Sequence, residues 1–156
     1  MLPIQQKKRP AIPIIREIIK NFKEQEIIVM GRYTSQVRHL DQTFGKKIRV
    51  LSKVVDSKIS LENTDVFVGS GGTMTAESAL LGIPTISYNA VPNIIEAYLI
   101  RKKLVIRETN PKQLVVSVRK ILESSNLEMK KKSKKMVNSM EDPYPILVKT
   151  MKSMLK

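Results

Sequence analysis

The sequence predicts an α/β domain in which a parallel sheet lies between two layers of helices. Two observations support this fold class. Strand-length apolar runs alternate with helix-length segments along the 156 residues, and the apolar runs are nearly continuous instead of alternating with polar residues. Strands buried on both faces have this pattern, which is typical of parallel sheets covered by helices. Right-handed crossovers then bring the ligand-binding loops to the carboxyl ends of the strands.

The strands are predicted from short apolar runs that end at glycine, polar or charged residues. These runs are residues 26–31, 47–51, 65–68, 85–88 and 104–107. The first of them, which ends at Gly31, is expected to be a central strand of the sheet.

The helices are predicted between these runs, several of them from apolar residues spaced three or four positions apart. They are residues 12–23, 34–44, 56–63, 73–81, 94–101, 111–124, 128–140 and 146–154. Thr34 or Ser35 is expected to cap the second helix, and Asn110 or Thr109 the helix from residue 111. The chain is therefore predicted to be a single Rossmann-like α/β/α domain over residues 1–156. We expect a basic flexible leader over residues 1–11 and basic C-terminal helices over residues 125–156.

The composition excludes several classes of site. With 42% hydrophobic residues the chain has enough apolar surface for a core, and it contains no cysteine. Disulfides and thiolate metal sites are therefore excluded. His39 is the only histidine, so no histidine-based metal site or relay of two histidines is expected, and His39 itself is expected to be solvated. We find no signal peptide and no apolar run of transmembrane length, which predicts a cytoplasmic location.

The formal net charge of +14 is concentrated towards the C-terminus. Residues 112–156 carry eleven Lys or Arg and four Asp or Glu, and the densest run is 130–135 (KKKSKK). A solvated lysine-rich helix is the simplest interpretation. Such a surface would also attract nucleic acid or an anionic membrane in a salt-sensitive manner. With three Phe, four Tyr and no Trp, the chain offers no aromatic stacking platform, which disfavours nucleic acid.

The most informative segment is the glycine turn, residues 69–73 (GSGGT), between a predicted strand and a predicted helix. Glycine lets the backbone approach a ligand, and a helix N-terminus offers unpaired N–H groups to an anion, so phosphate or pyrophosphate is the first ligand to consider. The Gly-Lys-Ser/Thr ending of a triphosphate-binding loop is absent, and so is the full dinucleotide spacing. A tight turn without a ligand remains the alternative.

Three further residues could serve this site. Glu77 stands one helical turn after Thr73, and its carboxylate would accept hydrogen bonds from vicinal ribose hydroxyls; the alternative is a charge that simply favours the positive helix end. Arg32 follows the first strand and is either a bidentate phosphate ligand or a surface arginine. Asn93 lies in a loop, 89–93, that would close over a sugar or base or would be a plain connection.

Residues 70–77 (SGGTMTAE), followed by residues 82–84 (GIP), resemble the donor-binding segment of GT-B-type proteins. The peptidoglycan UDP-N-acetylglucosamine transferase and the UDP-N-acetylglucosamine 2-epimerases carry versions of it. A mainly archaeal family of unknown function, related to both, is similar over most of residues 27–143. The shared features are residues 31–33 with Gln36, residues 55–56, residues 71–74, Glu77 with residues 79–82, and residues 140–143.

The resemblance implies half of a GT-B architecture, in which two Rossmann-like domains face each other across the ligand and this chain is the second. Gly71, Gly72 and Thr73 would face the diphosphate of a nucleotide sugar, and Glu77 would face its ribose. Ser70, Arg32 and Asn93 complete the candidate nucleotide-sugar site. The resemblance also implies a strand before the first helix, for which residues 1–11 supply no apolar run. No catalytic residue, metal or cofactor is assigned.

The function expected from these observations is that of a nucleotide-sugar-binding half of a GT-B-type glycosyltransferase or epimerase, which requires a partner chain for activity. The alternatives are a non-catalytic truncated remnant with vestigial binding and a basic nucleic-acid-associated module. The expected partners are a UDP-sugar and an acceptor-domain chain. A peripheral contact with an anionic membrane and a homodimer are further possibilities.

Overall fold

The computed structural model describes residues 11–31, 33–51, 57–89 and 91–155. The strands are β1 Ile28–Met30, β2 Arg49–Leu51, β3 Phe67–Gly69, β4 Thr85–Ser87 and β5 Val105–Arg107. The helices are α1 Ala11–Asn21, α2 Thr34–Phe44, α3 Ser57–Glu62, α4 Thr73–Leu80, α5 Ile94–Arg101, α6 Pro111–Leu122, α7 Leu127–Asn138 and α8 Pro143–Met154. A short 3₁₀ turn, Gly45–Lys47, follows α2.

The predicted fold class is confirmed, because parallel strands are flanked by helices as in a Rossmann-like α/β/α domain. The helix ends lie within two residues of the prediction apart from the start of α8, and the N-cap of α2 also differs from it. The N-cap of α2 is Tyr33 and neither Thr34 nor Ser35. Helix α8 begins at Pro143, three residues earlier than predicted. The Asp142 side chain accepts a hydrogen bond from the Tyr144 N–H at 3.0 Å, and proline suits the first helical position.

The strands form two parallel ladders, β1–β2 and β3–β4–β5. Across the part of the chain that the structure describes, no strand pairing joins the two ladders. Within the described residues β1 pairs with β2 alone and is an edge strand. This contradicts the prediction that residues 26–31 form a central strand. Ile28 and Met30 are 47% and 42% exposed, whereas all three residues of β4 are buried.

Helix α1 packs against both ladders. Ile14 belongs to a core cluster with Ile86 of β4 and Leu114 of α6. The next residue, Ile15, belongs to a second cluster with Leu40 and Phe44 of α2. A third cluster lies around α4 and α5 and contains Ala79, Leu99, Leu104 and Val105. The helices thus lie in two layers, with α1, α2 and α6 in one and α4, α5 and α7 in the other.

The last helix, α8, has no buried residue. Most of its apolar side chains, among them Leu147, Met151 and Met154, are exposed. None of the helices within the described ranges is long and apolar enough to cross a membrane.

Candidate functional site

The glycine turn connects the carboxyl end of β3 to α4, as predicted. Gly71 and Gly72 have φ values of +83° and +89°, a region that favours glycine over residues with a side chain. Gly69 is buried, whereas Ser70, Gly72 and Thr73 are exposed. The turn therefore presents backbone and small side chains to solvent at the strand end.

The start of α4 has free hydrogen-bonding capacity. The first intrahelical bond runs from the Ala76 N–H to the Gly72 carbonyl at 3.2 Å, so the N–H groups of residues 73–75 precede it and have no intrahelical acceptor. The N-cap is Gly72, which has no side chain to accept from them. A Cβ placed on Gly72 would meet no atom within 4 Å. An anion can therefore approach these amides from the Gly72 side.

The other side of the turn is filled by a buried carboxylate. A Cβ on Gly71 would lie 2.6 Å from Glu96 Oε2 and 3.0 Å from Asn89 Nδ2, so only glycine fits at position 71. Glu96 is 2% exposed. Its Oε1 accepts a hydrogen bond from the Ser87 hydroxyl, and its Oε2 accepts one from Asn89 Nδ2 at 3.1 Å. This group joins the end of β4, the loop after it and the glycine turn.

Thr75 places a second buried polar group beneath the turn. Its hydroxyl is buried and has no hydrogen-bond partner among the described residues. A Cβ on Gly69 would lie 2.6 Å from this oxygen. Position 69 therefore also requires glycine, and a hydroxyl group lies directly against the start of the turn.

The predicted site residues are only partly brought together. Ser70, Gly71, Gly72 and Thr73 form the turn itself. Glu77 is partly buried in α4, and its carboxylate makes no ion pair with any residue the structure describes. Arg32 lies outside the described residues, as do Val55 and Asp56.

Asn93 is the N-cap of α5. Its Oδ1 accepts a hydrogen bond from the Glu96 N–H at 2.9 Å. It is exposed, and it reaches the turn indirectly, through the helix whose Glu96 packs against Gly71. The structure thus gives Asn93 a capping contact, and its proposed contact with a sugar stays a prediction.

Sequence reasoning missed Glu96, Ser87 and Thr75. The spacing of Asn93 and Glu96 is that of a capping pair and would have placed Glu96 in the first turn of a helix. Ser87 ends a strand that also contains Thr85, and polar residues in a strand that is buried throughout are a weak signal of a buried polar contact. The burial of Glu96 depends on β4 and α5 meeting, which no local pattern indicates.

Two other features lie apart from the turn. A pocket of about 780 Å³ lies at the amino ends of β1 and β2, lined by Ile27, Ile48, Arg49 and basic residues of α1. It is therefore at the opposite end of β1 from Gly31. Within the described ranges, no group of three acidic or histidine side chains could hold a metal ion.

The chain matches the family described as protein of unknown function DUF354 over residues 6–156. It is also similar to the uncharacterized protein MJ0665 of Methanocaldococcus jannaschii, with 39% identity over 67 residues. That match spans 42% of this chain and 20% of the relative's length. No solved structure matches the chain significantly.

Proposed function

Since the chain belongs to the DUF354 family of proteins of unknown function, we propose its function from the site itself. The chain binds a nucleotide sugar at residues 69–73 and acts as the donor-binding half of a GT-B-type glycosyltransferase or epimerase. The observation that carries this proposal is the open, uncapped N-terminus of α4 behind Gly72. Backbone amides in this arrangement suit a diphosphate.

The groups on the two sides of the glycine turn support one orientation of the nucleotide sugar. Glu96 occupies the Gly71 side, where its carboxylate would repel a phosphate. The diphosphate is therefore assigned to the Gly72 and Thr73 side. Glu77 lies one turn further along α4 and has no ion-pair partner in the described part of the chain, so its carboxylate is free to accept hydrogen bonds from ribose hydroxyls.

In this proposal the chain supplies binding and leaving-group stabilisation. The amides of α4 would stabilise the departing nucleotide diphosphate during glycosyl transfer. No side chain at the turn is assigned as a general base, so the acceptor and the remaining catalytic groups belong to a partner chain or domain. The net charge of +14 favours anionic ligands in general and steers them towards the protein.

Isothermal titration calorimetry with UDP and UDP-N-acetylglucosamine tests the proposal. We expect both ligands to bind, and we expect Glu77→Ala to weaken binding about tenfold or more, since a hydrogen bond to a charged group contributes roughly 1.5–3 kcal/mol. Glu128→Ala is the matched control, because Glu128 is an exposed acid in the first turn of α7. It should leave the affinity unchanged.

Two results would contradict the proposal. If neither ligand gives heat, the turn is not a nucleotide-sugar site and the chain is better explained as a non-catalytic remnant. If neither ligand binds and the chain instead binds RNA or DNA in a salt-sensitive manner, the basic nucleic-acid module is favoured.

A further inference from the structure

We propose that the pocket at the amino ends of β1 and β2 binds a small amphipathic anion, that is, a phosphate group carried on a short apolar chain. The ligand is a free molecule in solution and not part of a bilayer. The inference is separate from the proposed function. Ile27 and Ile48 line this pocket just before β1 and β2 begin, whereas the glycine turn follows the carboxyl end of β3.

The pocket is large enough for such a ligand. Its volume of about 780 Å³ lies within the range of roughly 300–1,000 Å³ that is usual for small-molecule sites. It is bounded by the last turns of α1 and α2, by the segments that follow these two helices, and by the starts of β1 and β2. The space therefore lies between several secondary-structure elements and is not confined to one loop.

The inner wall of the pocket is apolar. The side chains that form it are Ile19, Phe22, Ile27, Phe44 and Ile48. Phe22, Phe44 and Ile48 are largely buried, whereas Ile19 and Ile27 keep part of their apolar surface accessible. An apolar chain that lies on this wall would remove that surface from water, which favours binding.

The rim of the pocket is positively charged. It carries six basic side chains, all of them exposed: Arg16, Lys20, Lys23, Lys46, Lys47 and Arg49. Of the lining residues that the structure describes, Glu26 alone is acidic, and its Oε1 lies 2.9 Å from Arg49 Nη1. The other five basic side chains make no ion pair with any described residue. A ligand anion would therefore meet positive charge that is not already neutralised.

The backbone at this end of the fold favours an anion that is held at the rim. Helices α1 and α2 end here, and the last carbonyl groups of a helix carry partial negative charge. Part of the basic charge offsets these helix ends, as Lys20 does in the last turn of α1. Lysines on flexible stems can hold a phosphate away from the carbonyls, and the apolar wall supplies the rest of the affinity. The combination selects a phosphate that carries a chain over inorganic phosphate.

Methyl NMR of protein with labelled isoleucine δ1 groups tests the pocket. The probe is octyl phosphate below its micellar concentration, and the controls are inorganic phosphate, the head group alone, and 1-octanol, the chain alone. We expect the methyl signals of Ile19, Ile27 and Ile48 to shift with octyl phosphate. Ile146, an exposed isoleucine on α8, should not respond. Octyl phosphate should bind about tenfold or more tightly than either control, because each control lacks one part of the recognition.

Removal of charge from the rim gives a matched pair of variants. The double variant Lys46→Gln and Lys47→Gln should weaken the binding of octyl phosphate about fivefold or more, because it removes two of the unpaired rim charges. The control is Lys134→Gln with Lys135→Gln, which lowers the net charge equally on α7 and should leave the affinity unchanged. All four lysines are exposed, so neither variant disturbs a core.

Several results would overturn the inference. If octyl phosphate shifts none of the three methyl signals, the pocket does not bind it. Equal affinity for inorganic phosphate would indicate a plain anion site, and equal affinity for 1-octanol a plain apolar one. Equal losses in the two lysine variants would indicate attraction to the total charge. If phosphatidylglycerol vesicles shift these signals and monomeric octyl phosphate does not, the pocket faces a bilayer instead.

The pocket and the proposed function can fail independently. A chain that binds octyl phosphate but not UDP would keep the pocket and lose the proposed function. A chain that binds UDP but not octyl phosphate would lose the pocket alone.

Discussion

At the scale of single residues, Glu96 organises the candidate site. Burying a carboxylate is costly unless it is hydrogen-bonded, and here Ser87 and Asn89 donate to its two oxygens. Both donors are neutral, so hydrogen bonds and not an ion pair hold Ser87, Asn89 and Glu96 together. The glycine turn could be predicted from the sequence because glycine spacing is local. The group behind it could not, because Glu96 and Gly71 are far apart in the chain.

An exchange of amide and carboxylate between positions 89 and 96 tests this group. Glu96→Gln turns one acceptor into a donor that faces Asn89, and Asn89→Asp places two carboxylates together. Each single variant should lower the free energy of unfolding by roughly 1–3 kcal/mol. The double variant restores donor to acceptor and keeps the net charge, so it should recover at least half of the summed loss. Urea unfolding of all four proteins gives the coupling.

Simple addition of the two losses in the double variant would contradict a direct interaction. It would mean that Glu96 and Asn89 contribute separately to stability. Glu128→Gln, on the exposed first turn of α7, controls for the change of charge and should be nearly neutral.

At the scale of elements, the bounds of some helices and the positions of the strands could be predicted, because interactions between residues close in the sequence determine them. The bounds of α2 and α5 match the prediction at both ends. The five strands also occur where apolar runs were found, although each spans only three residues of ladder. The division into two ladders was not predictable, because it depends on which distant strands pair. The early start of α8 was signalled by Asp142 and Pro143, a cap followed by proline that periodicity alone overlooks.

Two asparagines at helix starts provide a matched test of capping. Asn110 accepts hydrogen bonds from the N–H groups of Lys112 and Gln113 at 3.0 and 3.3 Å, whereas Asn126, the N-cap of α7, makes no side-chain cap bond. Asn110→Ala should therefore lower the free energy of unfolding by about 1 kcal/mol. Asn126→Ala should change it by much less, and equal losses in chemical denaturation would contradict this assignment.

At the scale of the whole molecule, the densest run of basic residues, 130–135, lies on α7. The inward face of this helix packs on α4, where the Ser133 hydroxyl donates to the Leu80 carbonyl. Lys131, Lys134 and Lys135 are exposed. We propose that this dense positive surface contacts an anionic membrane, as expected from the sequence.

Charge reversal on α7 tests that contact. The triple variant Lys131→Glu, Lys134→Glu and Lys135→Glu should lose co-sedimentation with vesicles containing phosphatidylglycerol. Added salt should weaken the co-sedimentation of the unmodified protein in the same assay. The control reverses Lys46, Lys47 and Lys112, which are also exposed, and so reaches the same net charge. If both triple variants lose binding equally, total charge and not α7 is responsible. If neither does, the membrane contact is wrong.

The position of α1 has a consequence for how the molecule comes apart. Ile14 and Ile15 are neighbours in the chain, yet each is anchored in a different core. Loosening one core on warming displaces α1 and so disturbs the other core, which predicts that the two cores unfold in one cooperative transition.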